Sequence, residues 1–233
     1  MISRRQILYL TAILSAWSPF AIFKGFAATG DKSNDNRSSL LISLLKEAYW
    51  AEKIANRHYE EYCQKALSEN YPNIAYLFSA LSISEKIHAN NYKVLIESLG
   101  SKINANEIHV TIGNTKKNLR VAAIKELEKI NDFYPRIIRE LSSESHDQSV
   151  INCMYSWKSH QQHEKIITSI KRYSGLFFSP LASKIENMDL NYHVCEICGS
   201  TINEPPKNPC EICNYPASHY KELDRLIQKI SYN

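Results

Sequence analysis

Glycine is scarce in this chain, with six residues in 233, and no glycine-rich turn joins a strand to a helix. This argues against a nucleotide-binding α/β fold, which cradles phosphates with glycine-rich backbone. A strong charge of one sign is also lacking, because the formal net charge is +4 and no basic stripe stands out. We therefore expect no nucleic-acid partner. The composition is typical of a mostly helical protein, long enough for one substantial core and a small appended module.

Residues 1–28 have the layout of a secretory signal. A short charged start precedes an apolar stretch at residues 7–23 and a small-x-small cleavage site at residues 25–27. Arg4 and Arg5 lie in the segment SRRQIL, which resembles the twin-arginine signal that exports folded proteins. We predict export to the periplasm by this route, which suits a protein that takes up its metal in the cytoplasm. The alternative is an uncleaved membrane anchor, because the apolar stretch is near the lower length limit for a span.

Two stretches with helical periodicity follow a polar joint at residues 29–39. The apolar stripe of the first helix consists of Leu41, Leu44, Leu45, Ala48, Ala55, Tyr59, Tyr62 and Ala66. Glu52 falls inside that stripe. The second helix has an unbroken spacing of four and three residues through Ile74, Phe78, Leu81, Glu85, His88, Tyr92, Leu95 and Leu99. Glu85 and His88 therefore hold seam positions with apolar neighbours on both sides.

Two further helices follow a less regular crossover at residues 100–117. The stripe of the third helix consists of Leu119, Ala123, Glu126, Ile130, Phe133, Ile137 and Leu141. The fourth helix places His160 and His163 among Cys153, Trp157, Ile167 and Ile170. Two helical hairpins joined by a long crossover match the ferritin-like four-helix bundle. We therefore predict a mainly α fold, with this bundle over residues 37–173.

Ionisable side chains in the seams of all four helices need a physical reason, because burying an unpaired carboxylate costs several kcal/mol. Residues three apart on a helix lie on one face, so Glu85 and His88 can share a metal, as can His160 and His163. At any single position the alternative is a surface pair or a hydrogen-bonded core histidine. Because ligand-type residues recur on every helix, we predict that the bundle binds metal.

A second metal site is predicted near the C-terminus, where two C-x-x-C pairs are separated by eleven residues. The four thiols belong to Cys195, Cys198, Cys210 and Cys213. This spacing predicts a tetrahedral site in a small module at residues 192–233, after a linker at residues 174–191. Gly199 and Asn214 each follow a pair, and both suit the left-handed conformation that points N–H groups at sulfur. Spacing alone leaves iron and zinc open.

Cys63 and Cys153 lie apart from these pairs. In the ferritin-like order the first and fourth helices run parallel, and Cys63 lies eleven residues after Glu52 whereas Cys153 lies ten before His163. At about 1.5 Å per residue, the two thiols lie at opposite ends of the bundle, roughly 30 Å apart. We therefore predict no disulfide between them.

Four stretches resemble the helix motifs of the rubrerythrin family, and the similarity covers nearly the whole chain after residue 28. They are AEKIANRHY from Ala51, SEKIHANNYKVL from Ser84, NTKKNLRVAAIKELEKINDFYP from Asn114 and HQQHEK from His160. The resemblance implies metal ligands at Glu52, Glu85, His88, Glu126 and His163. It also implies that Tyr59 and Tyr134 hydrogen-bond to those ligands and orient them.

Two residues depart from the family pattern. The family has two glutamates on the third helix, and Lys129 stands in place of the second. In the family this glutamate lets one iron change its ligand when the redox state changes, which a protonated lysine cannot do. His160 stands where the family has a bridging glutamate, and histidine cannot bridge through a bidentate carboxylate. The expected donor set is Glu52, Glu85, His88, Glu126, His160 and His163. Such a set could hold two irons less symmetrically, another metal or a single ion, and Lys129 could replace one cation electrostatically.

The C-terminal module resembles rubredoxin, with Pro209 before its second cysteine pair. This resemblance implies iron at the four-cysteine site, with zinc as the alternative. An iron–thiolate centre passes one electron at a time, so the module would feed electrons to the bundle. The family resemblance further implies a homodimer in which the module serves the partner subunit, and a redox partner protein as the external electron donor.

These features predict an exported rubrerythrin-like non-haem iron oxidoreductase that reduces hydrogen peroxide or a similar small oxidant. The chief alternative is a non-catalytic electron carrier or metal-binding protein with a diverged bundle site, which Lys129 and His160 favour. A third interpretation makes both sites structural, with zinc in the small module.

Overall fold

The computed structural model describes residues 32–143, 147–172, 182–183 and 185–225, apart from the side chains of residues 32–37 and 168–172. The predicted signal and part of the predicted linker lie outside the described residues. Among the helices in the described ranges, none is long and apolar enough to cross a membrane.

Two helical hairpins form the larger part of the described chain. The helices are α1 (Lys32–Ser68), α2 (Pro72–Ser98), α3 (Thr115–Glu128), α4 (Tyr134–Ser143) and α5 (Asp147–Arg172), with a π-helical turn (Lys129–Phe133) between α3 and α4. The irregular crossover between α2 and α3 joins the hairpins. The predicted mainly α fold with a four-helix bundle is confirmed.

Local sequence explains where these helices begin. The α1–α2 turn contains Asn70 at φ 61°, and Pro72 opens α2, where a missing N–H costs nothing. Asn114 caps α3 by accepting a hydrogen bond from Lys117 N at 2.9 Å. However, α1 already begins at Lys32, within the predicted polar joint. The apolar stripe could not reveal these first residues of α1, because they are polar.

The third predicted helix is interrupted, which corrects the expectation of a continuous stripe. Pro135 lacks an N–H, and in a regular α-helix its ring would crowd the carbonyl four residues earlier. The π-helical turn widens the backbone at this point. The Ile130 carbonyl, five residues before the proline, accepts a hydrogen bond from Trp157 Nε1 at 2.9 Å. The indole thus supplies the donor that the proline cannot.

The π turn also rotates the following residues. Ile130 and Phe133, predicted on the buried stripe, are only partly buried, whereas Tyr134 is fully buried. Eight residues separate Glu126 from Tyr134, which would place them roughly 80° apart on a regular helix. Because the π turn absorbs one residue, the separation becomes about two complete turns. Both side chains therefore face the bundle interior.

A small three-stranded antiparallel sheet forms the C-terminal module. Its strands are β1 (His193–Cys195), β2 (Thr201–Ile202) and β3 (Tyr220–Glu222), in the order β2-β1-β3. The module packs against the bundle, where Tyr76 donates a hydrogen bond to the Leu223 carbonyl at 2.7 Å and accepts one from Tyr192 N at 3.2 Å. The expected four-cysteine module after the bundle is confirmed.

The bundle core consists of two apolar clusters with an ionisable layer between them. One contains Tyr59, Tyr62, Phe78 and Leu81, together with module residues such as Tyr192 and Val194. The other contains Leu45, Tyr92, Tyr134, Ile137 and Leu141. Cys63 belongs to the first cluster and Cys153 to the second, and both thiols are free. The two thiols therefore lie in different parts of the core.

Candidate metal centre

The structure brings the six predicted donors of the bundle together, each no more than 1% exposed. They form two overlapping groups whose ligand atoms lie within 4.8 Å of one another. The first group is Glu52, Glu85, His88 and His160, and the second is Glu85, Glu126, His160 and His163. Glu85 and His160 belong to both. The pairs at helical spacing of three do share a face, as predicted.

The second group fits a metal ion. Among the described residues, Glu85 Oε1 and His163 Nδ1 are buried without a hydrogen-bond partner, and they lie 3.8 Å apart. His163 Nδ1 is 3.6 Å from Glu126 Oε2, and His160 Nδ1 is 3.6 Å from Glu85 Oε1. Each unpartnered buried atom costs about 1–3 kcal/mol. A cation between these atoms would compensate both, and carboxylate with imidazole is a donor set that iron accepts.

The first group is contacted by the Lys129 side chain, which is 12% exposed. Its Nζ lies 2.6 Å from Glu52 Oε2, 3.4 Å from His160 Nε2 and 3.8 Å from Glu85 Oε1. Burial alone would lower the pKa of Lys129, but the three carboxylates Glu52, Glu85 and Glu126 raise it above its ordinary value. Lys129 is therefore an ammonium paired with Glu52.

Glu52 and Glu126 are ionised for related reasons. Burial alone would raise the pKa of Glu52, but Lys129 and His160 lower it well below its ordinary value. Burial likewise opposes ionisation of Glu126, yet His160 and His163 hold its pKa well below the usual range. His160 Nδ1 is 2.6 Å from Glu126 Oε2, and its Nε2 is 3.1 Å from Glu52 Oε1. The His160 ring thus lies between the two groups.

Two buried tyrosines lie against these carboxylates. Tyr59 donates to Glu126 Oε1 at 2.5 Å, and Tyr134 donates to Glu52 Oε1. Burial and the neighbouring carboxylates raise the pKa of both phenols well above the ordinary value, so both keep their protons. Each phenol binds one oxygen of its carboxylate, and the other oxygen faces the cluster, where Glu126 Oε2 contacts His160 and Glu52 Oε2 contacts Lys129. The structure therefore places both tyrosines where the family resemblance predicted them.

The two predicted sites touch each other through His88. Its Nε2 lies 3.0 Å from the backbone carbonyl of Cys198, and its Nδ1 lies 2.9 Å from Glu85 Oε2. Because a carbonyl only accepts hydrogen bonds, Nε2 carries a proton, and Nδ1 is therefore the ring nitrogen that a metal ion would engage. The module contacts the bundle of its own chain here, so this contact needs no partner subunit.

Sequence reasoning missed the side chains that seat the module on the bundle. The Gly199 carbonyl accepts hydrogen bonds from Ser84 Oγ at 2.6 Å and from Ser159 Oγ at 2.9 Å. Asn91 Nδ2 donates to the Ile197 carbonyl at 2.8 Å. One signal was available, because each serine directly precedes a residue of the metal cluster, giving the related segments SEKIH and SHQQH.

The four module cysteines also form a site that fits a metal. Their sulfurs lie within 4.8 Å of one another, with 3.8 Å between Cys195 and Cys213 and 3.5 Å between Cys198 and Cys210. A tetrahedral ion about 2.3 Å from each sulfur separates the sulfurs by roughly 3.8 Å. Gly199 at φ 77° and Asn214 at φ 61° adopt the left-handed conformation predicted after each pair. Tyr220 further donates to Cys210 Sγ at 3.3 Å.

Comparison with known proteins agrees with this geometry. The family model described as Rubrerythrin matches residues 43–170, more than half of the chain. The chain belongs to the rubrerythrin family. It is 29% identical over 182 residues to Rubrerythrin-2 of Clostridium acetobutylicum, covering 76% of this chain and 93% of that protein. It is 27% identical over 179 residues to Rubrerythrin of Porphyromonas gingivalis, covering 76% and 86%.

Solved structures of nigerythrin share the fold of this rubrerythrin-family chain. The mixed-valent state matches with a TM-score of 0.68 at 22% identity, covering 78% of this chain and 86% of that one. The fully reduced, all-ferrous state matches with a TM-score of 0.64 over the same shares. The predicted family and fold are thus confirmed. The protein is a non-haem iron protein of this family, and the bundle cluster and the four cysteines are its two candidate metal sites.

Proposed function

We propose that this rubrerythrin-family protein reduces hydrogen peroxide at the bundle centre, with electrons relayed by the four-cysteine site of the same chain. The observation that carries the proposal is the contact of His88 with the Cys198 carbonyl at 3.0 Å. Cys198 belongs to the thiolate cluster and His88 to the carboxylate–histidine cluster. One hydrogen bond therefore connects a member of each cluster, with both residues buried from water.

Iron bound at the two sites would supply the two electrons that convert hydrogen peroxide and two protons into two water molecules. The residues of the chain prepare the site for this reaction. Tyr59 and Tyr134 hold Glu126 and Glu52 in place as hydrogen-bond donors. Lys129 is the most exposed of the predicted site residues, at 12% of its side chain. Its ammonium is therefore placed to donate a hydrogen bond to an oxygen atom entering the cluster.

Stopped-flow oxidation tests this function. The iron-loaded protein is reduced without oxygen and mixed with hydrogen peroxide, and the visible absorption of the ferric–thiolate site is followed. We expect rapid return of that absorption, with two electrons consumed per peroxide. The control is Glu85→Ala, which removes a donor shared by both bundle groups. Equal re-oxidation rates in this variant and the unaltered protein would show that peroxide reacts at the module, against the proposal.

A second candidate function is that of a non-catalytic electron carrier. The observation that favours it is the Lys129–Glu52 ion pair, because it engages a carboxylate that the family resemblance assigns to metal. The same experiment separates the two functions. An electron carrier would pass electrons to a redox dye while leaving peroxide unconsumed, whereas the proposed peroxidase would consume it.

We also propose export to the periplasm, supported by Arg4 and Arg5 ahead of the apolar stretch at residues 7–23. Replacing both arginines with lysine keeps the charge but removes the paired-arginine signal. Cell fractionation should then show precursor retained in the cytoplasm. Unchanged export would contradict the twin-arginine route, and full-length protein in the membrane fraction would favour an uncleaved anchor.

The remaining partners are a homodimeric second copy and a redox protein that reduces the module from outside. The family resemblance supports both. Light scattering of the iron-loaded protein tests the homodimer, for which we expect twice the mass of one chain. A monomeric mass would leave the module serving its own bundle, as the contacts within this chain allow.

A further inference from the structure

We propose that the bundle of this protein holds one metal ion, and that the Lys129 side chain occupies the place of a second. The proposal concerns the number of ions and does not rest on the proposed peroxidase activity. Lys129 Nζ contacts three members of the first group, at 2.6 Å from Glu52, 3.4 Å from His160 and 3.8 Å from Glu85. A cation is thus already present among the donors that a metal ion in this group would need.

The second group remains free to bind metal. Glu85 Oε1 and His163 Nδ1 have no hydrogen-bond partner among the described residues, and they face each other at 3.8 Å. No lysine or arginine ion pair with Glu126 is found in the described part of the chain, where its oxygens contact Tyr59, His160 and His163. Lys129 is therefore hydrogen-bonded to Glu52, which belongs to the first group alone, whereas the second group has two ligand atoms, on Glu85 and His163, that make no hydrogen bond.

The net charge of the cluster also supports a single metal ion in the bundle. Three carboxylates and one ammonium leave at most two negative charges, because an imidazole ring is either neutral or positively charged. One divalent ion neutralises the cluster, whereas two would leave a buried excess of positive charge. Since an uncompensated buried charge costs several kcal/mol, the residues fit one divalent ion and do not fit two.

His160 removes the usual means of sharing two ions. A glutamate offers two oxygens to two metals, but a neutral imidazole has one nitrogen lone pair. His160 Nδ1 lies 3.6 Å from Glu85 Oε1 on the side of the second group, and its Nε2 faces Lys129 and Glu52. Lys129 and His160, the two residues that depart from the family pattern, thus lie 3.4 Å apart, and both disfavour a metal ion in the first group.

Metal analysis of the full-length protein tests this inference. Total metal is measured by element-resolved mass spectrometry, and the ferric–thiolate absorption gives the share held by the four cysteines. We expect one bundle ion per chain in the unaltered protein, without the magnetic coupling of an iron pair in Mössbauer spectra. Two bundle ions per chain, or a coupled pair, would overturn the inference whatever the variants do.

Three variants locate the effect at Lys129. Lys129→Glu supplies a carboxylate and removes the ammonium, so we expect a second bundle ion. Lys129→Arg keeps the cation and should stay at one. Lys125→Glu makes the same charge change at an exposed position on α3 and should also stay at one. A gain in Lys125→Glu equal to that in Lys129→Glu would contradict a specific role of Lys129. If Lys129→Glu does not fold, Lys129→Met removes the ammonium alone, and an unchanged count there counts against the proposal.

Discussion

Gly199 has two reasons to be glycine. Its φ of 77° is left-handed, and a Cβ at this position would lie 2.4 Å from His88 Nε2 and 2.8 Å from Ser84 Oγ. Gly100 shares the first property only, since its φ is 75° but a Cβ would meet nothing within 4 Å. A comparison of substitutions at Gly199 and Gly100 therefore separates the cost of backbone strain from the cost of close approach between the module and the bundle.

We predict that Gly199→Ala destabilises the protein more than Gly100→Ala. The left-handed conformation costs each alanine about 1–2 kcal/mol. Gly199→Ala must in addition push the module away from His88, which weakens the hydrogen bonds to the Gly199 carbonyl. Chemical unfolding of both variants measures the difference. Equal losses would mean that the module does not approach His88 as closely as described.

The two isolated thiols lead to a prediction about reactivity. Burial raises the pKa of Cys63 to about 11 and that of Cys153 to about 12. The thiolate is the reactive form, so at pH 8 we expect Cys63 to react about 100-fold more slowly than a thiol of ordinary pKa. The rate should rise as pH increases towards the raised pKa. Mass spectrometry after iodoacetamide treatment checks this, with the denatured protein as control, and ready labelling of the native protein at pH 8 would contradict it.

At the scale of an element, the π turn aligns Tyr134 with the metal cluster. The sequence signal for it was present in Pro135, but the apolar spacing alone predicted an uninterrupted helix. Periodicity assumes a constant 3.6 residues per turn, so it cannot register a turn that absorbs an extra residue. Helix α2, which has no such interruption, buries seven of the eight residues of its predicted stripe, and the eighth, Leu99, lies just after the helix ends.

Trp157 is expected to stabilise this turn, because its indole satisfies the Ile130 carbonyl. Trp157→Phe keeps an aromatic ring but removes the donor. We predict a loss of roughly 1–2 kcal/mol in the free energy of unfolding, the usual cost of an unsatisfied buried polar group. Chemical unfolding measures it, with the half-buried Trp50→Phe on α1 as control. A loss no larger than in that control would mean that water replaces the indole.

At the scale of the whole molecule, sequence reasoning predicted both metal clusters but not their contact. Seam positions such as Glu85 and His88 can be recognised in the sequence, because an ionisable residue stands where the helical periodicity predicts an apolar one. Docking of the module depends on backbone carbonyls, such as those of Cys198 and Gly199, that accept hydrogen bonds from α2 side chains over a hundred residues away in sequence. Backbone groups have no residue-specific signature, so no sequence pattern marks this contact.

The shared core predicts how metal loss at the module spreads. Removing metal from a four-cysteine site unfolds small modules of this kind. The half of α2 around Tyr76 and Leu77 packs in the cluster that includes module residues, whereas Tyr92 and Ile96 lie in the other cluster. We predict that removing this metal alone accelerates hydrogen exchange near Tyr76 and leaves it unchanged near Ile96. Equal acceleration in both segments, measured by mass spectrometry, would contradict the division.

The division of the core also bears on how this architecture can be rearranged. The sequence alone would place a domain boundary at the linker between bundle and module. However, Tyr76, Tyr192 and Leu223 belong to one apolar cluster that crosses this boundary. A fragment ending before the linker would leave that apolar surface facing water, and so would the module alone. The bundle and the module are therefore not independent domains that can be exchanged separately. Any shuffling of the module onto another bundle would have to carry its half of the interface with it.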